Sequence, residues 1–209
     1  MDRFAPVTLE AWVKPEVPGP GREMRYFIGS DIPEKSGISI GMWYPGFDYI
    51  DWSAEPMFIA QLLPENGSRW VVSNTRIPVG TWSHVAGVFG SEKSVLFLNG
   101  RPVARGLATG NSPDTPFVIG HAGRDNPSNH FFVGKMYTIR ISRGERYHDA
   151  FTPSTTFEKD DATLLLYDPS HVEGNRVTDL SGKGNHGVIK KREAPGDSNS
   201  LVDDETAKK

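Results

Sequence analysis

Any chemistry in this chain has to come from oxygen donors, imidazoles and aromatic rings, because it contains no cysteine. That absence removes thiolate nucleophiles, thiolate metal sites and disulfide staples together. Glycosidic hydrolysis needs two carboxyl groups about 5–9 Å apart across a sugar. The nearest carboxylate run, Asp48-Tyr49-Ile50-Asp51-Trp52-Ser53-Ala54-Glu55, has the wrong spacing for that, and Glu158-Lys159-Asp160-Asp161 lies in a polar loop. There is no G-x-S-x-G elbow, and the six histidines are scattered without an evident serine partner. His84 falls inside a strand-like run, where a satisfied core histidine is the expectation. Gly182-Lys183-Gly184 reads as a turn, not a phosphate cradle. No catalytic residue is assigned.

Binding chemistry is better represented. Calcium takes carboxylate, amide and carbonyl oxygens from irregular loops. Asp179 and Asn185, with the glycine-rich turn between them, form one candidate site, and Asp125, Asn126 and Asn129 form another. The same Asx residues equally serve to cap tight turns, and both readings stand. Trp43, Tyr44, Phe47, Tyr49 and Trp52 straddle the Pro45-Gly46 turn. Sugars present C–H faces that stack on such rings while Asp48 and Asp51 would fix hydroxyls, so the cluster suits a glycan or a protein partner. Alternation sends about half of these rings into a core. The polar loop 121–130 offers Arg124, Asp125, Asn129 and His130 to hydroxyls or a carboxylate.

These groups must be held by strands. Short β-rich runs recur over Val7–Lys14, Arg25–Gly29, Gly37–Trp43, Met57–Leu63, Arg69–Ser73 and Trp82–Phe89. They continue over Ser94–Asn99, Arg101–Arg105, Phe117–Gly120, Phe131–Ser142, Thr163–Tyr167 and His186–Lys190. Glycine- and proline-rich breakers separate them, which predicts a sandwich or barrel. Asn99-Gly100 between two apolar runs predicts a type I′ hairpin. Trp82–Phe89 is apolar on both parities and predicts a central strand covered on both faces. In Val7–Lys14, Leu9, Ala11 and Val13 share one face and Thr8, Glu10 and Trp12 the other. One short helical turn is expected near 144–150, and no longer helix. Residues 1–190 read as one domain, and 191–209, with five basic and five acidic side chains counted from Lys190, as a polar tail or linker.

At 209 residues and a formal charge of −3, the surface gives no general attraction for nucleic acid or an anionic membrane. No apolar run is long enough to insert into a bilayer. No signal peptide is visible at Met1-Asp2-Arg3-Phe4, and strand-like sequence from Val7 suits a segment of a longer protein.

Four phrases in order resemble laminin-G-like modules of the concanavalin A-like lectin/glucanase superfamily, found in bacterial multidomain proteins. They are Val7–Pro15, with Leu9-Glu10-Ala11-Trp12-Val13 at its centre, Gly80–Val88, with Trp82-Ser83-His84-Val85-Ala86, the hairpin Leu96–Ala104 around Asn99-Gly100, and the closing pair Phe117–Gly120 and Phe132–Ser142, with Met136-Tyr137-Thr138-Ile139-Arg140-Ile141 in the latter. The resemblance spans about 7–190 and implies an all-β, two-sheet antiparallel jelly-roll sandwich with almost no helix. Two departures stand out. Met136-Tyr137-Thr138 replaces the family's acidic pair in the closing strand. Asp179-Leu180-Ser181-Gly182-Lys183-Gly184-Asn185-His186-Gly187, a phrase usually N-terminal, here lies near the C-terminus. That segment either completes this sandwich, burying Leu164, Leu166, Val188 and Ile189, or begins a second repeat; the first is preferred. The E-x-D-x-x-E strand of related glycosidases does not occur. The resemblance further implies a non-catalytic module binding carbohydrate or a cell-surface protein, appended to other domains, extracellular or periplasmic, with a structural calcium at Asp179 and Asn185. A spacer or adhesion domain is the alternative, and a hydrolase or lyase the third reading.

Overall fold

A computed structural model describes residues 5–17, 24–30, 37–44, 55–63, 69–107, 116–123 and 130–190. Tyr49, Trp52, Phe47, Asp48, Asp51, Arg124, Asp125, Asn126 and Asn129 lie outside the described residues, as does the 191–209 tail.

The strands are β1 (Val7–Pro15), β2 (Met24–Gly29), β3 (Gly37–Trp43), β4 (Met57–Leu63), β5 (Arg69–Arg76), β6 (Ser83–Phe89), β7 (Lys93–Leu98) and β8 (Arg101–Leu107). There follow β9 (Val118–Ile119), β10 (Gly134–Arg143), β11 (Thr163–Tyr167), β12 (Val172–Glu173), β13 (Arg176–Val177) and β14 (Gly187–Val188). They form a six-stranded sheet, β11-β10-β1-β6-β7-β8, a five-stranded sheet, β5-β4-β3-β2-β9, and a small sheet, β12-β13-β14. All strand pairs are antiparallel. This is a two-sheet antiparallel sandwich, as its alternating runs require.

Alternation places the core. Leu9, Ala11 and Val13 of β1 face Phe27, Ile40, Met42, Phe58, Ala60 and Leu62 of the opposing sheet in one apolar layer. β6 is buried along its whole length. Its second apolar set, Ala86 and Val88, faces away from that layer and joins Val95 and Phe97 beneath Tyr147 and Phe151. The segment 144–160 therefore roofs the outer face of the six-stranded sheet, giving the protein a second, smaller core. Asn99 (φ 50°) and Gly100 (φ 75°) make the left-handed pair that the hairpin requires.

Three details differ from the sequence reading. No helix forms at 144–150; the short helical turn is a 3₁₀ turn at Pro169–His171, started by the Asp168 side chain accepting from the Ser170 N–H. Strands β12 and β13 have too few residues to show alternation. In the 163–190 region, β11 extends the six-stranded sheet by pairing with β10 and buries Leu165 and Leu166. Val188 and Ile189, by contrast, remain 64% and 50% exposed on and beside the small sheet.

Candidate functional site

The outward face of the five-stranded sheet is built in cross-strand rows. Met24, Trp43 and Met57 stand opposite one another, then Tyr26, Gly41, Ile59 and Val72, then Gly29, Ser39, Gln61 and Trp70. The row partners of these residues on the other parity fill the core, so the register alone turns this set outward. Gly41 brings β2 and β3 together closely: a Cβ there would run into the backbone of Arg25 and Tyr26. With no side chain at Gly41, the Tyr26 hydroxyl crosses β3 and donates to Gln61 Oε1 on β4 at 2.6 Å. His130 packs its ring 5.7 Å from that of Tyr26. Ala122 passes directly over Gly29, and a Cβ on that glycine would collide with the Ala122 carbonyl. The face is thus closed toward β9 and over its middle, where Tyr26, Ser39, Ile59 and Gln61 are buried, and opens at β5, where Trp70 is 39% exposed beside Val72.

Of the aromatic candidates, Trp43 is half-exposed on this face, while Tyr44 is buried in the core. Burial pushes the Tyr44 hydroxyl up to about 12, against the opposing charge of Arg25. Tyr44 belongs to the half of the cluster that packs inward. Of the polar loop, His130 reaches this same face. Tyr26, Gln61 and Trp70 were not singled out from sequence. Trp70 and Val72 do share a parity, but nothing local says which parity looks outward.

Asp179 and Asn185 do come together, as parts of a hydrogen-bonded turn. Asp179 Oδ1 accepts from the N–H groups of Leu166 and Ser181, each at 3.0 Å. Its Oδ2 accepts from the Ser181 hydroxyl at 2.7 Å and from the Asn185 N–H at 2.9 Å. The Asn185 amide donates to the Leu164 carbonyl at 2.8 Å. Burial works to raise the Asp179 pKa, but these bonds outweigh it and hold the carboxyl below its usual range. A calcium ion needs oxygen lone pairs, and here four donors already point at them. The pair as arranged does not fit calcium; it fits the turn-capping role. Among the described residues no group of three His, Asp or Glu side chains stands where it could hold a metal.

The other concentration of charge is buried. Glu10 accepts from His84 Nε2 (3.1 Å), Arg140 Nε (2.7 Å) and the Tyr147 hydroxyl (2.8 Å), beneath the 144–160 segment. Arg140 also donates to the Glu158 carbonyl and stacks over Phe157. Trp12, Tyr147, Phe151 and Phe157 enclose the His84 ring. Burial raises the pKa of Glu10, but the hydrogen bonds from His84 and Arg140 and the charge of Arg140 outweigh it, leaving it below its usual value. Both Glu10 and His84 are fully buried. No substrate reaches them, so the cluster is a structural tie.

A model of the Laminin G 3 family, described as the concanavalin A-like lectin/glucanases superfamily, matches residues 2–150. The chain belongs to that superfamily. Among solved structures, a candidate carbohydrate-binding protein of Bacteroides ovatus superposes with a TM-score of 0.67 at 19% identity, over 91% of this chain and 55% of that one. This superfamily member therefore spans little more than half of that protein. The sialidase carbohydrate-binding module of Ruminococcus gnavus, solved with sialyllactose, gives 0.49 at 12% identity, covering 71% and 78% of the two chains. Domains LG4-5 of the mouse laminin alpha1 chain give 0.48 at 12%, covering 72% and 42%. No curated protein sequence matches. The superfamily match ends at residue 150, before β11 and the Asp179 turn, so the edge strand of the six-stranded sheet lies beyond the matched part. No described helix is long and apolar enough to cross a membrane.

Proposed function

We propose that the chain is a non-catalytic carbohydrate-binding module of a larger, exported protein, using the outward face of its five-stranded sheet as the platform. The observation that carries this reading is the placement of the partly exposed Trp43 and the exposed Trp70 on one sheet face, with the buried, hydrogen-bonded Tyr26 and Gln61 pair holding the sheet between them. Aromatic faces receive sugar C–H groups. Among the described strand residues of that face there is no Asp or Glu, so it lacks the carboxyl pair that glycoside cleavage requires. Superfamily membership and the likeness to the Bacteroides ovatus protein agree with this reading. Tyr49, Trp52, Arg124, Asp125 and Asn129 stay in the proposal as candidates from the sequence and lie outside the described residues.

A glycan array, run in calcium and again in chelator, tests it. Specific signal is expected in both conditions, because Asp179 and Asn185 are occupied as turn caps. Trp43→Ala and Trp70→Ala are each expected to weaken binding roughly tenfold, about 1.4 kcal/mol. Signal lost in chelator would bring a calcium site back. Silence in both conditions would favour the spacer or adhesion reading.

A further inference from the structure

The opposite, six-stranded sheet carries a second surface whose chemistry is different. On its outward face, beyond the end of the 144–160 roof, Trp82 is 41% exposed and Tyr137 42%. Their rings meet edge-on at 6.2 Å. The two come from opposite sides of β1. The β1–β6 register runs Trp12 to His84 and Val13 to Ser83, so the next position sets Trp82 beside Lys14. The chains still run together there, since the Gly80 N–H donates to the Pro15 carbonyl. On the other side, a bulge in the β1–β10 pairing falls between Ala11 and Val13. Ile139 and Met136 face the core on either side of it, and the bulge leaves Tyr137 to turn outward.

Lys14 and Lys135 stand directly opposite each other in this same patch. Like charges facing across a strand pair are destabilising unless something answers them. Among the described residues neither ammonium has an ion-pair partner, and Glu16, just past the end of β1, pairs with neither. Trp12, by contrast, is tied down by donating to the Ser154 carbonyl and is not part of the open surface.

We propose that this patch is a second saccharide site, specific for sugars that carry a carboxylate, that is, uronates. One exposed aromatic face takes the pyranose ring, and the two lysines take its carboxylate. A peptide is the less suitable occupant. β1 is hydrogen-bonded to β6 and β10 on both sides, so it has no free edge to which an extended peptide could add. The site is independent of the Trp43 and Trp70 platform, which lies on the other sheet.

Titration calorimetry of the whole chain with oligogalacturonate, alginate and hyaluronan oligosaccharides tests the proposal. Binding to at least one is expected. It should weaken at least roughly tenfold when the same oligosaccharide is methyl-esterified, and weaken again as salt rises. Trp82→Ala and the double variant Lys14→Gln with Lys135→Gln should each lower affinity roughly tenfold, whereas Trp43→Ala should leave it unchanged. Tyr137→Ser provides a further exposed variant should Trp82→Ala unfold. The proposal is overturned if none of the three uronates binds, if esterification has no effect, or if Trp43→Ala alone abolishes binding. Poly-glutamate binding as tightly as the best uronate would also overturn it, in favour of an acidic peptide surface.

Discussion

Glu10→Ala is expected to lower the free energy of unfolding by about 3–5 kcal/mol, the cost of leaving one half of a buried ion pair alone. The carboxylate of Glu10 is the sole acceptor shared by His84, Arg140 and Tyr147. Without it, Arg140 keeps a buried positive charge answered by the Glu158 carbonyl, the Tyr147 hydroxyl and the Phe157 ring, none of them a full negative charge. The 144–160 segment should loosen first, because Tyr147 anchors it to Glu10 and stacks on Phe151 at 3.6 Å. Urea unfolding measures the loss, and hydrogen exchange should show it concentrated in that segment. Glu10→Gln keeps the shape but not the charge and should fall between the two.

The same residue sets an acid limb. Its carboxyl titrates lower in the folded chain than its ordinary value of 4.5. A depressed carboxyl contributes stability that is fully present above that ordinary value and is lost as pH falls through the folded pKa. Unfolding free energy should therefore hold level above about pH 4.5 with respect to Glu10 and decline below it, and the decline should be shallower in Glu10→Gln. An acid limb as steep in Glu10→Gln as in the parent chain would mean that Glu10 contributes nothing to it.

Asp179→Ala is expected to cost about 3 kcal/mol or more, since each buried donor left without its acceptor costs ~1–3 kcal/mol. Four donors lose their partner at once, from Leu166, Ser181 and Asn185. Those bonds tie the turn to the edge strand β11, and the Asp179 N–H also donates to His186 Nδ1. Thermal unfolding with and without calcium decides between the two roles of this residue. A loss of the same size in calcium and in chelator is expected of a turn cap. A parent chain that gains stability with added calcium, and a variant that does not, would assign Asp179 to a metal after all.

Much of this molecule was legible in its sequence because the deciding signals are local. Period-two alternation marks which residues of β1 share a face, and Asn99-Gly100 supplies the positive φ values of its hairpin whatever surrounds it. β3, β4 and β11 have the bounds that their apolar runs and breakers predict. The double-sided burial of β6 follows from apolar residues on both parities. The glycine-rich phrase at 179–187 likewise marks Asp179 as part of a tight turn.

What tertiary structure decided was the identity of each face. Alternation says that Trp70 and Val72 go together, but only the register β5-β4-β3-β2 turns them onto the same face as Trp43. Glu10, His84 and Arg140 are separated by 74 and 130 residues along the chain, and strand pairing alone makes them one cluster. The role of Asp179 was likewise undecidable locally, since the same oxygens serve a cation or a set of N–H donors. The fold brings the Leu166 N–H, 13 residues upstream, onto the Asp179 carboxylate, which only the tertiary structure shows. Local sequence sets the periodicity of each strand, whereas the chemistry of a site depends on which strands become neighbours.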